Sequence, residues 1–508
     1  MVRWAPAGEM DAASIMRRMQ ALSGALYTAE QVRELDRRAI VERGIAGYEL
    51  MKRAGHATLN ALRALWPAAR SIAVLCGPGN NGGDGYVVAR VARAQGLRVR
   101  VSSLVELAQL RGDAARAHED FAAAGGRIEP WTSEALDADV IVDALYGTGL
   151  TRAPTGLAAE MLAAANASGR PLVAVDIPSG LHADSGAVLG IASRAALTVS
   201  FIGRKVGCYV GDGPEHVGHL VFDDLAVPAD LPAGLDPVAQ LIDEQAVAAV
   251  LPRRRRAAHK GENGHVLVVS GGPGMPGAAR LAGEAALRTG AGLVTDAVHP
   301  ENAGVVAARP ELMCIAARGK ADIATALERA TVLAVGPGLG RSDWAAELLE
   351  AALASGHAAV VDADALNIIA EGPRRMEQWV LTPHPGEAAR LLGVTTADVQ
   401  RDRLSAVREL QSRYGGTAVL KGAGSLVRAP LGGTWLCDRG NPGMAAAGMG
   451  DVLTGTIAGI AAQCGELSLA ARAGVFVHAQ AGDLAARRGE RGLLAGDLLE
   501  QLRACVNP

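Results

Sequence analysis

Four short polar turns hold the residue types in the first half of this chain that can do chemistry. The run GPGNNGGDG at 77–85 packs Asn80, Asn81 and Asp84 among glycines. Amide and carboxylate oxygens in that setting suit a hard cation or the hydroxyls of a ligand. Gly77, Gly79 and Gly82 also satisfy G-x-G-x-x-G, but Ser102 and Ser103 stand where a dinucleotide fold would place an acid. Asn and Asp in tight left-handed turns would explain one such run without any ligand. Three further turns make a shared site the better reading. Asp143 precedes Gly147 and Gly149, Asp176 precedes Ser179 and Gly180, and Lys205 sits in FIGRKVG at 201–207. Strand C-termini of an open parallel sheet gather in one crevice, so Asp143 and Asp176 are expected to face Asn80 and Asn81 across it.

The second half carries a different set. KGAGS at 421–425 follows an apolar run, and NPGMAAAGMGDVLTG at 441–455 puts Gly448, Gly450 and Asp451 at the mouth of a predicted helix. Free N–H groups there can stabilise charge on a transferring phosphoryl group. An aspartate beside them can take the proton of an attacking hydroxyl. A lone Gly-x-Gly-Asp could equally be an Asp favoured by the helix dipole. TPHPGE at 382–387 adds His384, held between two prolines and followed by Glu387, as a ligand contact. Asp362 and Asp364 end another apolar run as a pair of acids.

The elements that must position these groups alternate between strand and helix, which argues parallel α/β architecture. Strands are predicted at 71–75, 265–269, 379–381 and 417–420, with helices over 86–95 and 278–288. Three prolines at 228–237 break the alternation and mark a linker. At 508 residues the chain exceeds the ~250–300 at which one core stops growing. Hydrophobic residues are 49 % but aromatics only 3 %, so small aliphatic side chains must fill the cores. The net charge of −3 gives no global attraction to nucleic acid or an anionic membrane, and the Arg253–Arg256 run reads as a solvated face. Six scattered cysteines lack C-x-x-C spacing, which argues against zinc and dithiol chemistry and for a reducing cytoplasm. No apolar run is long enough to span a membrane, and residues 1–25 lack a signal-type apolar region.

The motifs GPGNNGGDG, DALYGTGL, VDIPSG and FIGRKVG, within 27–228, resemble the epimerase domain of the NAD(P)H-hydrate repair enzymes. HKGENGHVLVVSGG, GPGLG, TPHPGEAARLLG, LKGAGS and NPGMAAAGMGDVLTG, within 244–508, resemble the ribokinase-like dehydratase domain of the same family. Tyr146 stands where Phe is frequent, and Met275-Pro276 is unusual in the first glycine turn of the second domain. The resemblance implies a Rossmann-like three-layer α/β/α domain followed by a ribokinase-like α/β domain. It divides the chain into an N-terminal extension at 1–26, an epimerase domain at 27–233 and a dehydratase domain at 241–508. It implies hydrated-dinucleotide contacts at Asn80, Asn81, Gly82, Gly83, Asp84, Gly147, Thr148, Gly149, Leu150, Thr151, Arg152, Ala153, Asp176 and Lys205. A potassium ion would sit on Asn81, Asp143 and Ser179. In the second domain, Ala278, Gly338, Gly340, His384 and Asp451 would touch the hydrate, and Lys421, Gly422, Ala423, Gly424, Ser425 and Gly450 the adenine nucleotide.

The expected activity is repair of NADHX and NADPHX, reduced nicotinamides with water added across the 5,6 bond. Asp176 is the candidate acid/base for interconverting R and S forms at C6, a task Asp143 could share. Asp451 is the candidate base for dehydrating the S form with ADP or ATP and Mg²⁺. A homo-oligomer in the cytoplasm is the expected assembly. The alternatives are a ribokinase-class sugar or vitamin kinase fused to a non-catalytic binding domain, a scaffold protein, and an NAD-dependent dehydrogenase. The last is disfavoured by the missing ribose-binding acid.

Overall fold

The computed structural model describes residues 24–507, so nearly all of the expected N-terminal extension lies outside it. The chain divides into two compact units at 239/240.

The first unit contains β1 (Ala25–Tyr27), β2 (Ser71–Cys76), β3 (Arg98–Ser103), β4 (Val140–Ala144), β5 (Leu172–Val175), β6 (Leu197–Phe201), β7 (Arg204–Lys205) and β8 (His219–Asp223). Six of these form an all-parallel sheet in the order β3-β2-β4-β5-β6-β8. Every residue of β2 is buried. Ile72, Val74 and Cys76 point into one core, under the Gly47–Leu65 and Asn80–Ala94 helices, and Ala73 and Leu75 point into the other, beside the Leu157–Ala167 helix. This period-two division gives the three-layer arrangement. Each fully buried Val or Ile contributes about 1.5–3 kcal/mol. The sheet order reverses between β2 and β4, so the loops after these strands diverge to opposite sides and open a crevice at their C-terminal ends.

The helix after β2 starts at Asn80, six residues before the predicted start at Tyr86. Its glycines lower helix propensity, which hides the onset in the sequence, but they are required by packing. A Cβ on Gly82 would lie 2.0 Å from the Gly77 carbonyl oxygen, and one on Gly83 would lie 2.5 Å from the Met51 methyl.

The proline-bearing segment expected to be a linker packs on the first unit. Leu231 is buried in its core, Asp230 pairs with Arg43 at 2.7 Å, and the Val238 amide donates to the Leu26 carbonyl at 2.9 Å. Turns at Pro228 and Pro232 fold the segment back, with the Leu231 and Leu235 amides donating to the two proline carbonyls.

The second unit follows β9 (Ala239–Leu241) with β10 (His265–Val269), β11 (Leu293–Val298), β12 (Met313–Ala316), β13 (Val332–Val335), β14 (Ala358–Val361), β15 (Trp379–Leu381), β16 (Thr417–Leu420), β17 (Ser425–Arg428) and β18 (Thr434–Cys437). The order β12-β11-β10-β13-β14-β15-β16 is parallel throughout, and β16-β17-β18 continues it antiparallel, with Gln240 and Leu241 paired to β18. The Met449–Cys464 helix lies closely on the Pro276–Arg288 helix: a Cβ on Gly455 would meet the Ala282 carbonyl oxygen at 2.0 Å. Small residues let the two backbones approach, which is how a chain so poor in aromatics fills this core.

Candidate functional site

In the first unit, a cavity of about 710 Å³ opens at the sheet crevice. Asn80, Asn81 and Asp84 line it from the start of the Asn80–Ala94 helix, Gly147 to Arg152 from the loop after β4, and Asp176 and Lys205 from beyond β5 and β6. Gly82 and Gly83 are buried against the fold instead, and Ala153 is outside the lining. Lys205 is buried and ion-paired to Asp176, and donates further to the Phe201 carbonyl at 2.8 Å and Ser200 Oγ at 3.3 Å. Asp176 holds φ of 69°, a left-handed conformation that is uncommon outside glycine and aims its side chain into the site.

Asp143 does not reach the cavity. It is fully buried, and its carboxylate accepts from Ser179 Oγ at 2.6 Å, Ser179 N at 2.9 Å, Ser193 Oγ at 2.6 Å and Leu145 N at 3.2 Å. Burial pushes its pKa up, and these hydrogen bonds hold it down. A group enclosed in this way cannot trade protons with a ligand in the cavity. It pins the loop after β4, helped by Ser179 Oγ, which accepts from Tyr146 N at 2.8 Å. Asn81 flanks the same loop, its Oδ1 3.4 Å from where a Cβ on Gly147 would stand. Its Nδ2 is buried with no hydrogen-bond partner.

In the second unit, Asp451 lies in the first turn of the Met449–Cys464 helix, whose N-cap, Gly448, has φ of 84°. Burial pushes the Asp451 carboxyl up to about 6; Asp362, Asp364 and Glu387 add to the shift, and Lys421 opposes it. Asp362 is the hub beneath this turn. It accepts from Lys421 Nζ at 2.6 Å and from Thr454 Oγ1 at 2.8 Å. Burial opposes the Lys421 charge, but Asp362 and Glu387 outweigh it and raise its pKa. The Lys421 side chain is thus committed to the protein, and Gly422 to Gly424 form a turn between β16 and β17 that exposes backbone. Gly422 and Gly424 have φ of 133° and 66°, which glycine supplies without strain. A Cβ on Gly450 would stand 3.3 Å from Lys421 Nζ, so the turn and the helix mouth meet.

His384 caps the Pro385–Leu392 helix: its Nδ1 accepts from Gly386 N at 3.0 Å, while Glu387 accepts from the His384 amide at 2.8 Å. Half of the side chain stays exposed. The carboxylate of Asp364 accepts from the Gly340 amide at 2.8 Å, fixing the glycine turn after β13. Gly338, at φ of 55°, packs against Ala278, whose Cβ would be 2.9 Å from a Cβ there.

Several supporting residues carried no motif. Arg403, nearly fully buried, donates to the carbonyls of Leu420 at 3.3 Å and Lys421 at 3.1 Å, bracing the turn from below; burial lowers its pKa to about 10. His478 Nε2 donates to the Met449 carbonyl at 2.9 Å, and burial holds this histidine neutral, with a pKa of about 4. Asp362 was visible only as one of two paired acids, and Ser193 and Thr454 were not visible as site residues at all.

The profile described as NAD(P)H-hydrate dehydratase matches residues 266–504, and that of the YjeF-related protein N-terminus matches 47–207. The bifunctional NAD(P)H-hydrate repair enzyme of Coxiella burnetii is 48 % identical over 95 % of this chain and 99 % of its own. The chain belongs to the family of bifunctional NAD(P)H-hydrate repair enzymes. The family's Escherichia coli member is 43 % identical over 95 % of this chain and 94 % of its own. Among solved structures, the ADP/ATP-dependent NAD(P)H-hydrate dehydratase from Bacillus subtilis, co-crystallised with ATP/Mg²⁺, is 28 % identical with a TM-score of 0.47, covering 52 % of this chain and 96 % of that one. Both expected domains of a repair enzyme are therefore present, in the expected order.

Proposed function

We propose that this chain repairs hydrated NADH and NADPH in two steps: the first unit interconverts the R and S hydrates at C6, and the second dehydrates the S form using ADP or ATP. The observation that carries this reading is the pairing of two different proton-handling sites in one chain. One is a roomy cavity with a buried Asp176–Lys205 pair, and the other is Asp451 at a glycine-lined helix mouth beside a backbone-exposing turn.

In the second site, hydroxide is a poor leaving group and phosphate a good one. Asp451 takes the C6 hydroxyl proton as the oxygen attacks the terminal phosphoryl group of the nucleotide. The N–H groups at Gly448–Gly450 face the charge that develops on that group. Backbone groups of Lys421 to Ser425 hold the nucleotide, and His384, with Ala278 and the Gly338–Gly340 turn, bounds the place of the hydrate. The nitrogen lone pair then expels phosphate, and loss of the C5 proton restores the double bond. Mg²⁺ on the nucleotide neutralises phosphate charge.

In the first site, Asn80 to Asp84 and the Gly147–Ala153 loop hold the dinucleotide, and Asp176 exchanges protons near C6. Asn81, Asp143 and Ser179 offer oxygen donors with one net charge, which fits a potassium ion. Asp143 is a fully buried carboxylate whose hydrogen-bond partners are all neutral, so a cation is the group that would balance its charge. Bound there, K⁺ would supply that charge, and its ligands Asp143 and Ser179 already pin the loop after β4. No helix among the described residues is long and apolar enough to cross a membrane, and all six cysteines are free, in keeping with work in the cytoplasm.

The test mixes pure protein with chemically prepared NADHX, Mg²⁺ and ADP or ATP, and follows absorbance at the reduced-nicotinamide band. Recovery of NADH from both epimers supports the reading. Accumulation of a stable phosphorylated product with no NADH would instead point to a kinase.

A further inference from the structure

The first-unit cavity holds more carboxyl groups than the reading above employs. Asp36, Asp84 and Asp176 all line it together with Lys205. Lys205 ion-pairs with Asp176 alone. Asp36 stands in the last turn of the Ala29–Arg37 helix, half-buried. Its neighbours on that helix are engaged: Glu34 pairs with Arg37 at 2.7 Å and with Arg38 at 2.9 Å. Asp36 has no such partner and faces the cavity.

Inverting C6 by loss and re-addition of water needs work on both faces of the ring, since on this route the oxygen leaves from one and enters at the other. One proton donor and one acceptor are needed, and environments that separate two carboxyls assign them. The ion pair with Lys205 sets Asp176 apart from the other two carboxyls. Burial raises Asp36 to about 6, with Asp176 adding and Lys205 opposing. Burial pushes Asp84 well above the ordinary carboxylate range, and both other carboxyls add to the shift. Arg33, from the same helix as Asp36, and Asp113, from the Gly112–Ala123 helix, are the remaining charged groups that face the space with Arg152. Asp176 is tied to Lys205, whereas Asp36 lines the cavity with no ion-pair partner among the described residues, placed to give up a proton and take it back.

Resting on the epimerase reading of this unit, we propose that Asp36 is its second catalytic residue, working on the face of the nicotinamide ring opposite Asp176. From R to S, the Asp36 proton passes to the C6 hydroxyl oxygen, the C6–O bond breaks and water leaves. The N1 lone pair forms a C6=N1 double bond. Water then adds to the other face: its oxygen makes the new C6–O bond, the π pair returns to N1, and its proton passes to the Asp176 carboxylate. Nothing is oxidised or reduced. From S to R the two carboxyls exchange roles, and the proton left on Asp176 returns to Asp36 through solvent in the open cavity.

The experiment uses the full chain without nucleotide. Purified R or S NADHX is incubated in ¹⁸O-labelled water, the epimers are separated by chromatography, and label at C6 is read by mass spectrometry above the uncatalysed background. The wild-type chain should incorporate solvent oxygen at the rate of epimerisation. Asp36→Asn should lose both by ~10²–10⁴-fold, hold NADHX within about threefold of wild-type affinity, and still dehydrate S-NADHX when ADP and Mg²⁺ are added. Asp36→Glu should recover part of the rate. Epimerisation without label uptake, an undiminished rate in Asp36→Asn, or a loss confined to binding would overturn the proposal while leaving the epimerase reading intact. A wild-type chain that does not epimerise at all would instead remove the reading beneath it.

Discussion

Asp451 sits where a helix N-terminus would favour its charge, yet burial and three neighbouring carboxylates prevail and hold it near 6. As a base it must be ionised. In the free enzyme, kcat/KM for dehydration should therefore rise with pH through about 6 and then level off, and an initial-rate profile with saturating nucleotide checks this. The sign for stability is the reverse. A carboxyl pKa raised above its unfolded value of ~3.9 means the folded state binds the proton more tightly, so this group lowers stability as pH rises through that window. Asp451→Asn should cut dehydration by ~10²–10⁴-fold and leave R/S exchange unchanged. Asp362→Asn removes the like charge that raises Asp451 most and leaves Lys421 to lower it, so the acidic limb should move to lower pH. An unmoved limb would deny Asp362 any electrostatic part. Asp176 and Lys205 could be picked out because polar turns after apolar runs announce a strand end, and Asp451 because Gly-x-Gly-Asp before an apolar run announces a helix start. Arg403 and His478 were not, because each acts on a backbone carbonyl remote in sequence and sits in an ordinary helical pattern.

At the scale of elements, strands were read almost to the residue, since 265–269, 379–381 and 417–420 are continuous buried runs between turn residues. The onset of the Asn80–Ala94 helix was missed, because its glycines serve contacts that only the folded chain reveals. Those contacts separate two kinds of glycine. Gly455 has no room: a side chain must displace the Ala282 carbonyl, so Gly455→Val should cost at least the ~1–3 kcal/mol of overpacking, seen as a lower midpoint in denaturant. Gly149 has nothing within 4 Å, so Gly149→Ala should leave that midpoint unchanged, and any loss should fall on binding of the hydrate. The loop carrying Gly149 also hangs on Asp143 and Ser179. Replacing K⁺ by a bulky organic cation should weaken NADHX binding to the first site without changing dehydration. Equal binding in both salts would count against a potassium site.

At the scale of the molecule, alternation of strand and helix and the break at the prolines were enough to expect two α/β units. The position of the division was less legible, because proline and small residues mark a turn whether or not it then packs. Leu231 and the Val238 amide belong with the first unit, whereas Gln240 and Leu241 extend the second sheet by pairing with Trp435 and Leu436. A cut near 233 would strip the first unit of its bond to Leu26, and a start at 241 would remove the Gln240 pairing. The cut that spares both falls between Val238 and Ala239. Each side then keeps its own buried core, the requirement for folding alone. The fragment ending at Val238 should fold and interconvert the hydrates without nucleotide. The fragment starting at Ala239 should dehydrate the S form only, and only with ADP or ATP and Mg²⁺. Mixing the two should restore repair of both epimers. Soluble fragments of which the second consumes R and S hydrates equally fast would refute the division of labour between the units.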